Sequence, residues 1–316
     1  MSSKISKVGI IGAGNVGADV ANALVLLGKC VTVVLFDRTL SKAEGQAWDI
    51  EDTIPLLKDM EIVPSNQYED LADSDIIVVT VGVQQKEGQS RLDTLSDNAQ
   101  IVRSTIKELD RVAPNSIILI VSNPVDVLTR IAIASSTRPE KLIFGSGTVL
   151  DTARLRYQLG KRLNVSKKDV HVYVIGEHGD SEFVVWSNAF IGGIPLTKFS
   201  IPQGATLEEI QEEYAELTRK RGYNIFERKG NTSYGISIVV CQLVDSILRD
   251  DKQIFPVSAR ADSNYGVGSE VVLGLPCIIS SQGIERQLVL PRNPHEQRLL
   301  EESATKLNEA YNSLDN

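Results

Sequence analysis

Along the first half of the chain, short apolar runs alternate with stretches whose hydrophobic positions recur every three or four residues. The runs are KVGIIG (7–12), VTVVLF (31–36), MEIVPS (60–65), DIIVVTVG (75–82), SIILIVS (116–122) and KLIFGS (141–146). They are rich in β-branched residues and continuous rather than alternating, the pattern of parallel strands buried on both faces. Helical patterns separate most of them, as at 15–27 and 97–112. This succession predicts a doubly wound α/β sheet.

The second half has a different rhythm. A helical pattern at 150–163 precedes the strand-like VHVYVIG (170–176), and a long charged helix is predicted over 207–228. Its start, Thr206 followed by Glu209, reads as a capping box. Another helix is predicted at 234–248, strand signals cluster at 254–261, 270–279 and 284–290, and Pro294 opens a last helix. Strands grouped between helices predict an α+β domain. We therefore expect residues 1–147 to form one domain and 148–316 a second.

Composition narrows the function. A formal net charge of −8 argues against a nucleic-acid surface. No apolar run approaches membrane-spanning length, and the N-terminus enters a strand with no signal-like segment. Three cysteines, Cys30, Cys241 and Cys277, sit in apolar surroundings without metal-ligand spacing. Buried thiols, a cytoplasmic location and no bound metal are the expectation.

GAGNVG (12–17) fits the G-x-G-x-x-G fingerprint where the fingerprint has meaning, after a strand and at the start of a helix. Gly12 permits the tight turn, Gly14 admits a pyrophosphate to the backbone, and Gly17 lets the helix pack on the sheet, as in a Rossmann domain. Helix-terminal amides then face the anion. Asp37 ends the second strand, twenty residues after Gly17. A carboxylate there accepts ribose hydroxyls and repels a 2′-phosphate, favouring NAD over NADP, although the adjacent Arg38 could offset the repulsion.

A hydride leaving an alcohol carbon must be matched by a proton leaving its oxygen. His178, in IGEHGDS, suits that task near neutral pH if a carboxylate fixes its tautomer. LDTAR (150–154) offers Asp151 as that carboxylate, and Arg154 on the same helix face as a fork for a substrate carboxylate. The bland alternative is a surface ion pair and a turn histidine. The loop GVQQKEGQSR (82–91) follows the fourth strand and could close as a lid carrying Arg91 to the reacting carbonyl. SNPVD (122–126) ends the fifth strand, where Asn123 could meet the nicotinamide or the substrate oxygen.

GAGNVG, Asp37, QKEGQSR, SNPVD, LDTAR, GEHGDS and KGNTSYG follow in one order over nearly the whole chain. In this the sequence resembles the L-lactate and malate dehydrogenase family. The resemblance implies His178 as acid/base, Asp151 as its partner, Arg154 as carboxylate clamp and Arg91 as lid arginine. It implies further NAD contacts from Val16, Lys42, Tyr68 and Ser104, from the Gly82–Val83 backbone, and from Val121, Asn123 and Ser146. It also implies a homotetramer.

The family divides by substrate. Oxaloacetate carries a second carboxylate and needs another cation on the lid, because a buried unpaired charge is costly. In the malate enzymes this is an arginine six residues before the lid arginine; here the residue is the neutral Gln85, with Lys86 one position away. Thr232 matches the lactate enzymes, where it walls the methyl pocket. Both positions favour pyruvate and L-lactate over malate, with a larger 2-oxo acid, as in the L-2-hydroxyisocaproate dehydrogenases, still open. Arg156 and His171 match positions that bind fructose 1,6-bisphosphate between subunits of bacterial lactate dehydrogenases. Arg156 should face away from Arg154 on its helix, and alternation along a strand should turn His171 away from His178. A non-catalytic NAD-binding protein is the rival of another class, but it would have no use for His178, Asp151 and Arg154 together.

Overall fold

A computed structural model describes residues 6–83, 91–201 and 204–314, the side chains of 91–93 excepted. The first half builds β1 (Lys7–Ile11), α1 (Asn15–Leu26), β2 (Thr32–Phe36), α2 (Leu40–Glu51), β3 (Glu61–Ser65), β4 (Ile76–Val79), α3 (Arg91–Val112), β5 (Ile117–Ile120), α4 (Val125–Ser135) and β6 (Ile143–Gly145). All six predicted strands form, and they pair in parallel in the doubly wound order β3-β2-β1-β4-β5-β6. The order reverses between β1 and β4, so the carboxyl ends of these two strands flank a natural crevice.

The second half builds α5 (Val149–Arg162), β7 (Val170–His171), β8 (Val174–Ile175), β9 (Phe183–Val184), β10 (Phe190–Ile191), β11 (Ile194–Pro195), α6 (Leu207–Lys229), α7 (Tyr234–Arg249), β12 (Ile254–Arg260), β13 (Val272–Ser280), β14 (Gly283–Gln287) and α8 (Pro294–Asn312). The three late strands do not make a sheet of their own. β12 pairs antiparallel with β6 at Ser258 and Gly145, so one nine-stranded sheet runs from β14 to β3. A glycine at 145 lets β12 approach, because a Cβ there would press on Ser258.

Both faces of this sheet are buried, which is why its strands read as continuous apolar runs. On one face α1, α2 and α7 bury Val20, Leu24, Ala43, Val240, Leu243 and Val244. On the other, α3, α4 and α8 bury Val102, Ile106, Leu128, Ile131, Leu300 and Leu307. A third cluster, with Leu155, Leu159, Val172, Val174, Ile210 and Tyr214, sits under α5 and α6.

Three expectations need correction. α3 starts at Arg91, six residues before the predicted start, because Leu95, Ala99, Val102 and Ile106 continue one buried stripe toward the N-terminus. Arg91 therefore opens a helix rather than ending a loop. The strand predicted at 170–176 is two short pieces, β7 and β8, and Gly176 turns at φ 93°. The alternation argument for His171 and His178 therefore has no unbroken strand to run along. The capping box at α6 is present as read, with Thr206 Oγ1 accepting from the Glu209 amide and Glu209 returning the bond.

Candidate active site

The fingerprint turn comes first because its geometry is forced. Gly12 has φ 106°, in the region that favours glycine. A Cβ on Gly17 would overlap the Gly12 carbonyl oxygen, so α1 can start here only with a glycine. Gly14 is different. A Cβ there would meet nothing nearer than the Lys42 Nζ at 3.9 Å, so no protein atom demands its bareness. The cleft it lines does, which is what a pyrophosphate lying on that backbone requires. Gly17→Ala is expected to cost about 2 kcal/mol of stability, because the opposing atom is backbone and cannot swing aside. A thermal melt and an NADH titration check this; a wild-type profile in both would count against the packing argument.

The cleft has a volume of about 350 Å³ and is bordered by Gly12, Gly14, Asp37, Arg38, Lys42 and Tyr68 on one side. Gly82, Val83 and Ser104 border the other. Asp37 Oδ2 accepts from the Ala13 amide at 3.0 Å and Oδ1 from the Thr39 amide at 3.1 Å, with Lys42 at 3.4 Å. Partial burial works against its ionisation, but the two amides and the Lys42 ammonium outweigh it and hold the carboxyl below the usual range. Asp37 is thus a fixed carboxylate on this cleft. These residues fit a dinucleotide.

A second cavity, of about 360 Å³, opens where β5 and β6 end and α1 begins. Val16, Val121, Asn123 and Ser146 border it, together with Asp151, Arg154, His178 and Thr232. The expected cofactor residues thus divide between two neighbouring cavities, with Gly14 on the first and Val16 on the second. Among them only Gly17 borders neither, its place being the helix–sheet contact.

Asp151 is the centre of the second cavity. Its Oδ2 meets His178 Nδ1 at 2.6 Å, and its Oδ1 accepts from Arg154 Nη1 at 2.8 Å. The pair of Asp151 and Arg154 is three residues apart on α5, as the bland reading had it, but it is not on the surface: the two side chains are 2% and 12% exposed. The His178 ring is 28% exposed and reaches the cavity. The Asp151 charge pushes the ring up to about 9, against the opposing effect of burial. Burial opposes the charge on Asp151, yet His178 and Arg154 hold its carboxyl below the usual range. Gly222 on α6 packs beside the Arg154 fork, where a Cβ would make ordinary contact at 3.4 Å from Nη1.

Sequence reasoning missed three side chains. Asp126, inside SNPVD and buried, accepts the His178 backbone amide at 2.7 Å on Oδ2 and the Ser258 hydroxyl at 2.6 Å on Oδ1. Burial pushes it up to about 6, the Ser258 and His178 bonds opposing. It holds the backbone of the histidine turn, which Ser303 of α8 also grips through the Glu177 amide. Asn98 of α3 accepts the Val83 amide at 2.7 Å and donates to the Asn123 carbonyl at 3.3 Å, tying the segment after β4 to the one after β5. Glu182 is buried at the cavity wall. The signal available was a polar residue at an otherwise apolar position; the partners are remote in sequence.

Other predicted residues lie apart. Arg156 does not border the cavity: its Nε donates to the Val172 carbonyl at 3.1 Å and its guanidinium lies over the Tyr173 ring. His171 is exposed, next to Val172 in sequence and paired with Phe190. Gln85 and Lys86 lie outside the described residues, as does the side chain of Arg91.

Comparison with known proteins decides the family. A model described as lactate/malate dehydrogenase, NAD binding domain, matches residues 6–145, and one described as lactate/malate dehydrogenase, alpha/beta C-terminal domain, matches residues 148–315. The chain belongs to the lactate/malate dehydrogenase family. Within this family it is 39% identical over 310 residues to an L-lactate dehydrogenase of Moorella thermoacetica, covering 98% of each chain. It is 38% identical over 309 residues to an L-lactate dehydrogenase of Clostridium botulinum (strain Loch Maree / Type A3), covering 98% of this chain and 96% of that one. A crystal structure of a lactate dehydrogenase from a Medee basin deep-sea metagenome library superposes with a TM-score of 0.94 at 34% identity, covering 98% of this chain and 99% of the other. The minor L-lactate dehydrogenase of Enterococcus mundtii superposes with a TM-score of 0.93 at 34% identity, covering 98% of both. The family's NAD-binding half is thus the half that carries the GAGNVG turn and Asp37. No described helix is long and apolar enough to cross a membrane.

Proposed function

We propose that this chain is an NAD-dependent L-lactate dehydrogenase, interconverting L-lactate and pyruvate. One observation carries the reading: a buried carboxylate, Asp151, bonded on one side to an imidazole and on the other to a guanidinium, at a cavity beside a dinucleotide cleft. The lactate dehydrogenases named above support the choice of substrate. In this reading residues 1–147 hold NAD and residues 148–316 supply most of the substrate site.

When bound, NADH supplies the hydride. Gly12, Gly14, Asp37, Lys42, Tyr68, Gly82, Val83 and Ser104, on one cavity, would hold its adenosine and phosphates; Val16, Val121, Asn123 and Ser146, on the other, would hold the nicotinamide end. Arg154 binds the substrate carboxylate with its fork, a geometry that a lysine cannot copy. His178, its Nδ1 engaged by Asp151, gives the proton on Nε2 to the carbonyl oxygen as charge develops there. Asp151 stabilises the imidazolium before transfer and fixes the ring tautomer after it. Arg91 stabilises the oxyanion, a contribution often worth about 3 kcal/mol. Gln85 offers no charge to a second substrate carboxylate, and Thr232 walls the methyl group.

The reading extends to regulation and assembly. The chain forms a homotetramer in the cytoplasm, where its three buried thiols stay reduced. Arg156 and His171, doubled by a two-fold axis, bind the phosphates of fructose 1,6-bisphosphate. NADH oxidation with pyruvate and with oxaloacetate, each with and without the sugar bisphosphate, tests these points together. Pyruvate is expected to be preferred by about 10²-fold or more in kcat/KM, because a second carboxylate would be buried without a partner. Preference for oxaloacetate would overturn the substrate and leave the hydride chemistry standing. Activity and oligomer size unmoved by the sugar bisphosphate would remove Arg156 and His171 from the account.

A further inference from the structure

The proposed reaction gives Glu182 no task, yet it is buried four residues after His178 on the wall of the substrate cavity. Its carboxyl, the Asp151 carboxylate and the His178 ring each offer an atom, and these three atoms all lie within 4.8 Å of one another. Facing it are Asp151 and Arg154 from α5, His178 from its own turn and Arg219 from α6. Most of these neighbours already have work. Asp151 divides its oxygens between His178 and Arg154; Arg219 gives Nη1 to Glu216 at 2.6 Å and leaves its Nε buried without a hydrogen bond among the described residues. Glu182 Oε1 is shielded from solvent and makes no hydrogen bond within the described residues.

Two carboxylates this close cannot both carry charge cheaply away from water. Asp151 has the imidazolium and the guanidinium in direct contact, so it keeps the charge and Glu182 keeps a proton. Burial and then the Asp151 charge push Glu182 up to about 9. An anionic substrate brings a further negative charge to the same cavity, and a charged Glu182 would compete with it for Arg154.

We propose that Glu182 is a positioning residue that works as an uncharged acid: protonated, it leaves Arg154 to the substrate carboxylate, and losing its proton to solvent turns the site against anions. The proposal deepens the dehydrogenase reading and rests on it for the identity of the anion.

Glu182→Gln, nearly isosteric and neutral at every pH, tests it in the full-length enzyme. The first measurement is the affinity of the NADH-loaded enzyme for oxamate, a non-reducible analogue of pyruvate, followed by NADH fluorescence from neutral to alkaline pH. The variant is expected to bind within about threefold of wild type near neutrality, and at least about threefold more tightly than wild type above pH ~9, where the wild-type carboxyl ionises. Superimposable pH profiles would overturn the proposal, as would a tenfold loss of affinity at neutral pH.

The second measurement needs no substrate. A carboxyl that keeps its proton has an infrared carbonyl band that a carboxylate lacks. The free wild-type enzyme is expected to show such a band at neutral pH, absent from Glu182→Gln and lost from wild type as the pH rises through ~9. A wild type without that band at neutral pH would show that Glu182 was charged and sink the idea. Glu182→Met, similar in volume and apolar, carries the same expectations if the glutamine variant folds poorly. A wild-type enzyme that bound neither pyruvate nor oxamate would defeat the dehydrogenase reading, while the infrared band still reported the charge on Glu182.

Discussion

His178→Gln is expected to lower pyruvate reduction by about 10²–10⁴-fold, the usual worth of a positioned acid, while NADH affinity stays within a few-fold. Glutamine can occupy the space and still reach Asp151, but it has no proton to give at the carbonyl oxygen. The cleft around Gly14 and Asp37, proposed to hold the adenosine and phosphates, does not include His178, so most of the cofactor's binding contacts survive the change while turnover falls. Stopped-flow turnover and NADH fluorescence read the two quantities. A variant keeping a tenth of wild-type turnover would take the acid role away from this residue.

The same assignment fixes the direction of the pH dependence. Asp151 raises His178 to about 9, so the ring holds its proton through neutral pH. Reduction, which consumes that proton, is strongest below pH ~9 and is lost as the pH rises through it. Lactate oxidation needs the neutral ring and gains over the same interval. Opposite alkaline limbs for the two directions are the signature to look for.

Arg154→Leu is the second large effect. It removes the fork proposed to bind the substrate carboxylate and also strips Asp151 Oδ1 of its partner. Truncating one member of a buried, hydrogen-bonded charge pair costs about 2–5 kcal/mol, so kcat/KM for pyruvate is expected to fall by about 30- to 5,000-fold. Most of the loss should be in KM, and oxamate binding should fall with it. Arg154→Lys restores charge without the fork and should recover only part of the loss. An unchanged KM for pyruvate in the leucine variant would mean that the carboxylate is bound elsewhere.

How much of this was legible depended on distance along the chain. The six parallel strands were readable because two buried faces make a strand apolar throughout, and the cofactor turn was readable because its glycines, strand and helix are contiguous. Asp151 and Arg154 could be paired by helical spacing, but no local rule put His178 at 2.6 Å from a carboxylate 27 residues away. Asp126 and Glu182 were harder still. Asp126 touches the chain 52 and 132 residues on, and Glu182 acquires its surroundings only when α5 and α6 close over it. The late strands were legible at 254–261, 270–279 and 284–290, but their place was not: an antiparallel strand has the same pattern whether it starts a new sheet or continues an old one.

Because β12 completes the sheet that β6 leaves open, and α7 lies on α1, neither half of the chain is an interchangeable part. A chimera that took its nucleotide half from one relative and its substrate half from another would have to match a strand edge and a helix seam, not merely a linker. New substrate preferences are then reached more readily by altering the cavity wall in place than by exchanging halves, and the two halves would be expected to diverge in step.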